Sequence, residues 1–159
     1  MSYQEKRTIT STVSGIVMLI AYSIFAISKY NSDDTNFDLK DWATTMLIFI
    51  GIGIVAIIII QIVFHILLSI SIAIREHERD DKEIEKRIKA EIVEDERDNI
   101  IEMKAARISF MLTGIGFMIS LFLVVFNYSA ITMLNTIFFS FLIGSILEGF
   151  IQIYYYRKS

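Results

Sequence analysis

Residues 108–147 read ISFMLTGIGFMISLFLVVFNYSAITMLNTIFFSFLIGSIL, 40 consecutive positions without Asp, Glu, Lys or Arg. A helix needs ~20 apolar residues to cross ~30 Å of hydrocarbon. This run is therefore long enough for two crossings, and the polar triplet Asn127-Tyr128-Ser129 breaks it near the middle. Two more uncharged runs lie upstream, at 8–28 and 42–74. Inside lipid every backbone N–H and C=O must find its partner within the protein. Spans of this kind are therefore helices, since a barrel would require short segments of strict alternation, which these runs lack. The pattern predicts an all-α membrane protein, a four-transmembrane-helix bundle with spans at about 8–28, 45–70, 108–126 and 131–154, forming one integral membrane domain over 1–159.

Composition supports this reading. Of the 159 residues 54% are hydrophobic, above the ~45–50% of ordinary soluble domains. Apart from Glu148, the charges are confined to a short loop, 29–41, a dense block, 75–107, and the two ends. With no Cys in the chain, disulfides and thiolate metal sites are excluded.

Lys and Arg mark the cytoplasmic side of a membrane protein. Lys6 and Arg7 precede the first span, nine basic residues lie in 75–107, and Arg157-Lys158 close the chain. The 29–41 loop has two Lys against four Asp, and the 127–130 turn has no charge. The expected arrangement is a multi-pass cell-membrane protein with both termini and 75–107 in the cytoplasm. Tyr30, Trp42 and Tyr128 would mark the outer interface, and Tyr154, Tyr155 and Tyr156 the inner one. A competing reading takes Lys6-Arg7, the first apolar stretch and Ala26-x-Ser28 as a signal peptide. Against it, the apolar stretch exceeds a usual signal core, and cleavage would leave three spans.

The second uncharged run exceeds what a crossing requires, with Ile70 to Ile74 as the excess before Arg75. Tilt absorbs such a surplus; otherwise Ile70 and Ile74 form an apolar face that packs on another protein. Residues 71–107 read as a charged cytoplasmic helical hairpin. Ile84, Ile88 and Ile92 make a thin apolar stripe at i, i+4, and Glu78–Lys82 and Glu83–Arg87 have the favourable order for helical ion pairs. A bend near Glu94–Asp98 would start the next helix, with Asp95 or Asp98 as N-cap. The block is either a solvated spacer or a docking surface for a protein partner, to which Ile84, Ile88 and Ile92 would contribute. It has twelve acidic residues against nine basic, so nucleic acid is not an expected partner.

The run Glu94-Asp95-Glu96-Arg97-Asp98, followed by Ile100, Lys104-Ala105 and Arg107 at the mouth of a span, resembles a motif of small bacterial and archaeal four-span membrane proteins, a family of unknown function. The resemblance covers about 94–126 and the four-span layout. It implies no activity and transfers no catalytic residue.

Glu148 is the one charged residue inside a span. A carboxylate at that depth is costly and normally faces the bundle interior or water. Gln152 lies one turn away, and Gln61 and His65 repeat the spacing on the second span. An offset of 87 aligns Thr45-Met46-Leu47 with Thr132-Met133-Leu134, placing Gln61 on Glu148 and His65 on Gln152. Six of 26 positions between 45–70 and 132–157 are identical, mostly Ile and Leu, so duplication and chance both stand. If the second and fourth spans touch, Glu148, His65, Gln61 and Gln152 form one polar layer. That layer would be either a proton or cation site or interhelical hydrogen bonding that holds the bundle together. One His and one carboxylate are too few for a zinc site, and no cofactor motif is present. The glycines, among them Gly51/Gly53, Gly114/Gly116 and Gly144/Gly149, permit close helix approach without a GxxxG pair.

The functional expectation is a non-enzymatic membrane subunit, accessory, regulatory or self-assembling, whose partners are the bilayer and either its own copies or another membrane or cytoplasmic protein. The alternative is a small proton- or cation-coupled transporter or channel using Glu148 and His65. Small multidrug exporters share the four spans and an intramembrane Glu, but here the Glu lies in the last span and a long charged hairpin is added. Topology is directly testable in this Cys-free chain: a thiol at Ser32 should react with an impermeant reagent applied outside intact cells, and one at Asn99 should not. The reverse pattern would overturn the orientation.

Overall fold

The computed structural model describes residues 3–31, 38–75 and 96–158. Among them the chain is all-α, an assembly of four long apolar helices: α1 (Tyr3–Asn31), α2 (Leu39–Arg75), α3 (Glu96–Val125) and α4 (Ala130–Lys158). Each is long and apolar enough to cross a membrane. α2 has 37 residues, so at 1.5 Å per residue it extends ~55 Å.

Local chemistry sets the helix ends. At the start of α2, Asp41 N–H donates to Asp38 Oδ1 at 3.0 Å and Asp38 N–H donates back to Asp41 Oδ2 at 3.2 Å. This reciprocal capping pair satisfies first-turn amides that hydrocarbon cannot. α3 closes with Tyr128 N–H on Leu123 O at 2.9 Å and Asn127 N–H on Val124 O at 3.0 Å. These are the two bonds of a Schellman motif, which requires a left-handed residue between helix and exit. Asn127 supplies it, with φ 62°. Two residues on, Ser129 caps α4 by accepting from Thr132 N–H at 3.2 Å. The polar triplet thus makes a tight reversal, and α3 and α4 run antiparallel.

α4 is the central helix. It packs most extensively on α3, then on α1, and touches α2 lightly, while α2 leans chiefly on α1. Small residues allow the close contacts. The Gly116 backbone lies directly against the Ser140 side chain and Gly149 against Thr12. A Cβ on Gly144 would stand 3.1 Å from Ser109 Oγ and 3.2 Å from Thr113 Oγ1. On α3 the buried positions Ile101, Ala105, Gly116 and Ser120 continue this seam. In lipid there is no hydrophobic drive between helices, so such close van der Waals approach holds the bundle. Gly51 and Gly114 meet nothing within 4 Å, and Gly53 makes only an ordinary contact with Met18, so the expected packing role falls to Gly116, Gly144 and Gly149.

Toward the Asn127 turn, α1, α2 and α4 enclose an aromatic core of Tyr22, Ala26, Trp42, Met46 and Phe138, with Phe25, Phe49 and Phe139 around it. The Tyr22 hydroxyl donates to Asn135 Oδ1 at 2.7 Å. Trp42 corrects an expectation: it is 4% exposed, inside this core, with its ring 5.6 Å from Phe25. Tyr30 and Tyr128 are exposed. The reason is position, because Trp42 falls on the first turn of α2 that meets α1. Ile70 is 50% exposed, so the described residues of this chain leave half of it uncovered. The side chain of Ile74, and Ile84, Ile88, Ile92, Asp95 and most of the expected 71–107 hairpin, lie outside the described residues.

Substitution should separate seam glycines from open ones. Gly116→Ala or Gly149→Ala forces a methyl into Ser140 or Thr12 and should cost ~1–3 kcal/mol. Gly114→Ala, facing open space, should raise stability by ~0.5–1 kcal/mol through helix propensity. Thermal unfolding in detergent, followed by circular dichroism, reads both; equal shifts at the two kinds of site would refute the seam.

Candidate functional site

The N-terminal half of α1, the first turns of α3 and the last turns of α4 converge at one end of the bundle. Arg157 Nε donates to Glu5 Oε1 at 3.1 Å, joining the start of α1 to the end of α4. Lys104 and Lys158 lie over the rings of Tyr155 and Tyr154, at 5.6 Å and 5.5 Å. This termini end is therefore lined by charges and aromatic rings, whereas the opposite end is filled by the aromatic core.

Between these three helices lies a polar cavity of about 200 Å³. α1 contributes Gln4, Arg7, Thr8, Ser11, Thr12 and Gly15; α3 contributes Asp98 and Glu102; α4 contributes Ser145, Ile146, Glu148, Gly149, Gln152 and Tyr156. The two glycines leave room for backbone approach, and the remaining positions are mostly hydroxyls, amides and carboxylates.

Glu148 is partly buried and anchored on two sides. Gln152 Nε2 points to its Oε1 at 3.5 Å, the outer limit of a hydrogen bond, and Thr8 Oγ1 donates to Gln152 Oε1 at 3.2 Å. The Ser109 hydroxyl of α3 bonds the same carboxyl group, and Glu102 is near enough to act on it electrostatically. A chain of polar contacts thus runs from α1 through α4 to α3. Helical periodicity explains it: Gly144, Glu148 and Gln152 follow one another at i, i+4, which keeps all three near one face. Ser109 meets both Gly144 and Glu148.

Gln61 and His65 are placed elsewhere. Both are exposed on α2, and neither lines the cavity that holds Glu148 and Gln152. The expected four-residue layer is therefore divided. α2 meets α4 through the aromatic core, where Met46 and Trp42 join Phe138. Farther along it leans on α1, with Phe64 edge-on to Tyr3 at 6.1 Å. Sequence reasoning found Glu148 and Gln152 but missed the α1 and α3 partners. The signal for α3 was Ala105-xxx-Ser109-xxx-Thr113, a small-residue stripe on one helix face. For α1 it was Thr8-xxx-Thr12, on a face shared with Gln4.

A second, mainly apolar cleft of about 350 Å³ lies at the other end, bounded by Ser23, Ala26, Tyr30, Trp42, Asn135 and Phe139 among others. Among the described residues no group of three or more His, Asp or Glu could hold a metal ion. No protein-family model, curated protein or solved structure matches the chain.

The cavity predicts a water-accessible path into the span region. In this Cys-free chain, Ser11→Cys, on the cavity wall, should react readily with a charged water-soluble thiol reagent in membranes opened to both sides. Ser120→Cys, at a position 0% exposed, should stay unlabelled. Labelling at Ser120 comparable to Ser11 would mean that the seam is not packed as described.

Proposed function

We propose that the chain is a non-enzymatic, multi-pass subunit of the cell membrane that works through protein partners, with α2 as its principal contact helix. The observation behind this reading is the state of α2. It is the most apolar of the four helices, yet no residue in the most apolar window of its span is buried in the bundle, and it packs on α1 with only a light touch on α4. A helix so sparsely held by its own chain has free faces for a second protein helix. Its continuation to Arg75, with Ile70 exposed, extends that surface toward the charged segment. The resemblance of 94–126 to four-span membrane proteins of unknown function supports the same class of protein. The gathering of Arg7, Arg157 and Lys158 at the termini end, with the basic residues of 75–107, favours a cytoplasmic position for both termini.

The second reading is proton- or cation-coupled transport. It is favoured by the cavity around Glu148 and would run through Glu148, Gln152, Thr8 and Ser109, since His65 does not line that space.

Crosslinking in native membranes followed by affinity capture should return a stoichiometric partner or a homo-oligomer. Replacing Ile70 and Ile74 with Ser should weaken that association. A monomer without partners, combined with substrate-driven proton flux in liposomes that Glu148→Gln abolishes, would replace the first reading with the second.

A further inference from the structure

The cavity at the termini end has a mainly acidic and amide-lined wall. Its wall holds three carboxyl groups, Asp98, Glu102 and Glu148, against one guanidinium, Arg7. Gln4 adds an independent observation. It lines the same space, is 8% exposed, and its side-chain amide makes no hydrogen bond to any described residue. A buried amide without a partner is an unfavourable feature that a native structure keeps only where something else satisfies it. It lies four residues before Thr8, on the same helix face and one turn from the Thr8–Gln152–Glu148 chain.

We infer that this cavity binds a small aliphatic amine in its ammonium form, held by Glu148 at the deep end and by Gln4 and Glu102 nearer the mouth. The sign of the wall selects a cation. The dispersion of the acids selects its chemistry. A protein-held metal ion is favoured where several His or carboxylate ligands converge, and no group of three or more exists among the described residues. An ammonium group instead makes separate hydrogen bonds, each to a single acceptor, so scattered carboxylate and amide oxygens suit it. A quaternary ammonium has no N–H to donate and is recognised by aromatic cages, whereas Tyr156 is the only aromatic residue on this wall. A volume of about 200 Å³ is room for a small amine and not for a large amphiphile. The inference holds under either functional reading, since an amine can gate a subunit or be carried by a transporter.

The test is calorimetric titration of the full chain in lipid nanodiscs at neutral pH with 1,4-diaminobutane and methylammonium, and with tetramethylammonium, Na⁺ and Mg²⁺ as comparisons. At least one primary amine should bind, with affinity at least about tenfold above tetramethylammonium, the worth of one charge-assisted hydrogen bond. Glu148→Gln should weaken binding about tenfold and Gln4→Leu severalfold, while helix content stays unchanged. Should Glu148→Gln fail to fold, Glu102→Gln serves in its place. No binding of either amine at millimolar concentration, equal binding of tetramethylammonium or Mg²⁺, or affinities unchanged in the folded variants would each overturn the assignment. Because binding is read without any partner or flux assay, its failure is distinguishable from failure of the subunit reading.

Discussion

The structure depends on how closely α4 can approach two neighbours at once. Gly144 and Gly149 are five residues apart, and at 100° per residue they point ~140° apart around the helix. They therefore cannot serve one interface. Gly144 lies toward Ser109 and Thr113 of α3, and Gly149 lies toward Thr12 of α1. That spacing explains why no GxxxG pair exists, since such a pair would mark a single partner, and α4 needs two. Gly116 completes the arrangement by receiving Ser140 from the other side of the α3 interface.

Once α4 is fixed between α1 and α3, the polar residues sort themselves by reach. Thr10, Thr12, Ser23, Thr45, Thr136 and Ser140 each donate to the carbonyl four residues back. Their hydroxyls are satisfied within their own helix, which lets them sit in an apolar environment without any partner helix. Other polar side chains cross between helices. Tyr22 reaches Asn135, Gln152 reaches toward Thr8, and Glu148 meets Ser109.

This also separates what the amino-acid sequence disclosed from what it withheld. Helix number and the α3–α4 reversal were legible because they follow from solvent and local chain chemistry. Uncharged runs of crossing length have one backbone solution in lipid, and Asn127 and Ser129 are residues that a left-handed exit and an N-cap require. The pairing of polar residues was not legible, because it depends on which helices touch along which part of their length. Glu148 and Gln152 were correctly grouped, since i, i+4 is an intrahelical relation. Gln61 and His65 shared that spacing but belong to a helix that meets α4 only at the far end. Trp42 misled for a similar reason: an interfacial aromatic and a core aromatic look alike until the neighbouring helix is placed.

The two ends of the bundle therefore differ for one cause. Where α2 joins α1 and α4, large rings fill the centre, and the cleft beside them is mainly apolar. Where α2 leans on α1 instead, α4 faces α1 and α3, whose residues around the space include Gln4, Thr8, Ser11, Thr12, Asp98 and Glu102. A polar cavity lies in that place, and among the described residues α2 contributes none to its wall. The peripheral position of α2 accounts at once for its uncovered apolar surface and for the polar space around Glu148.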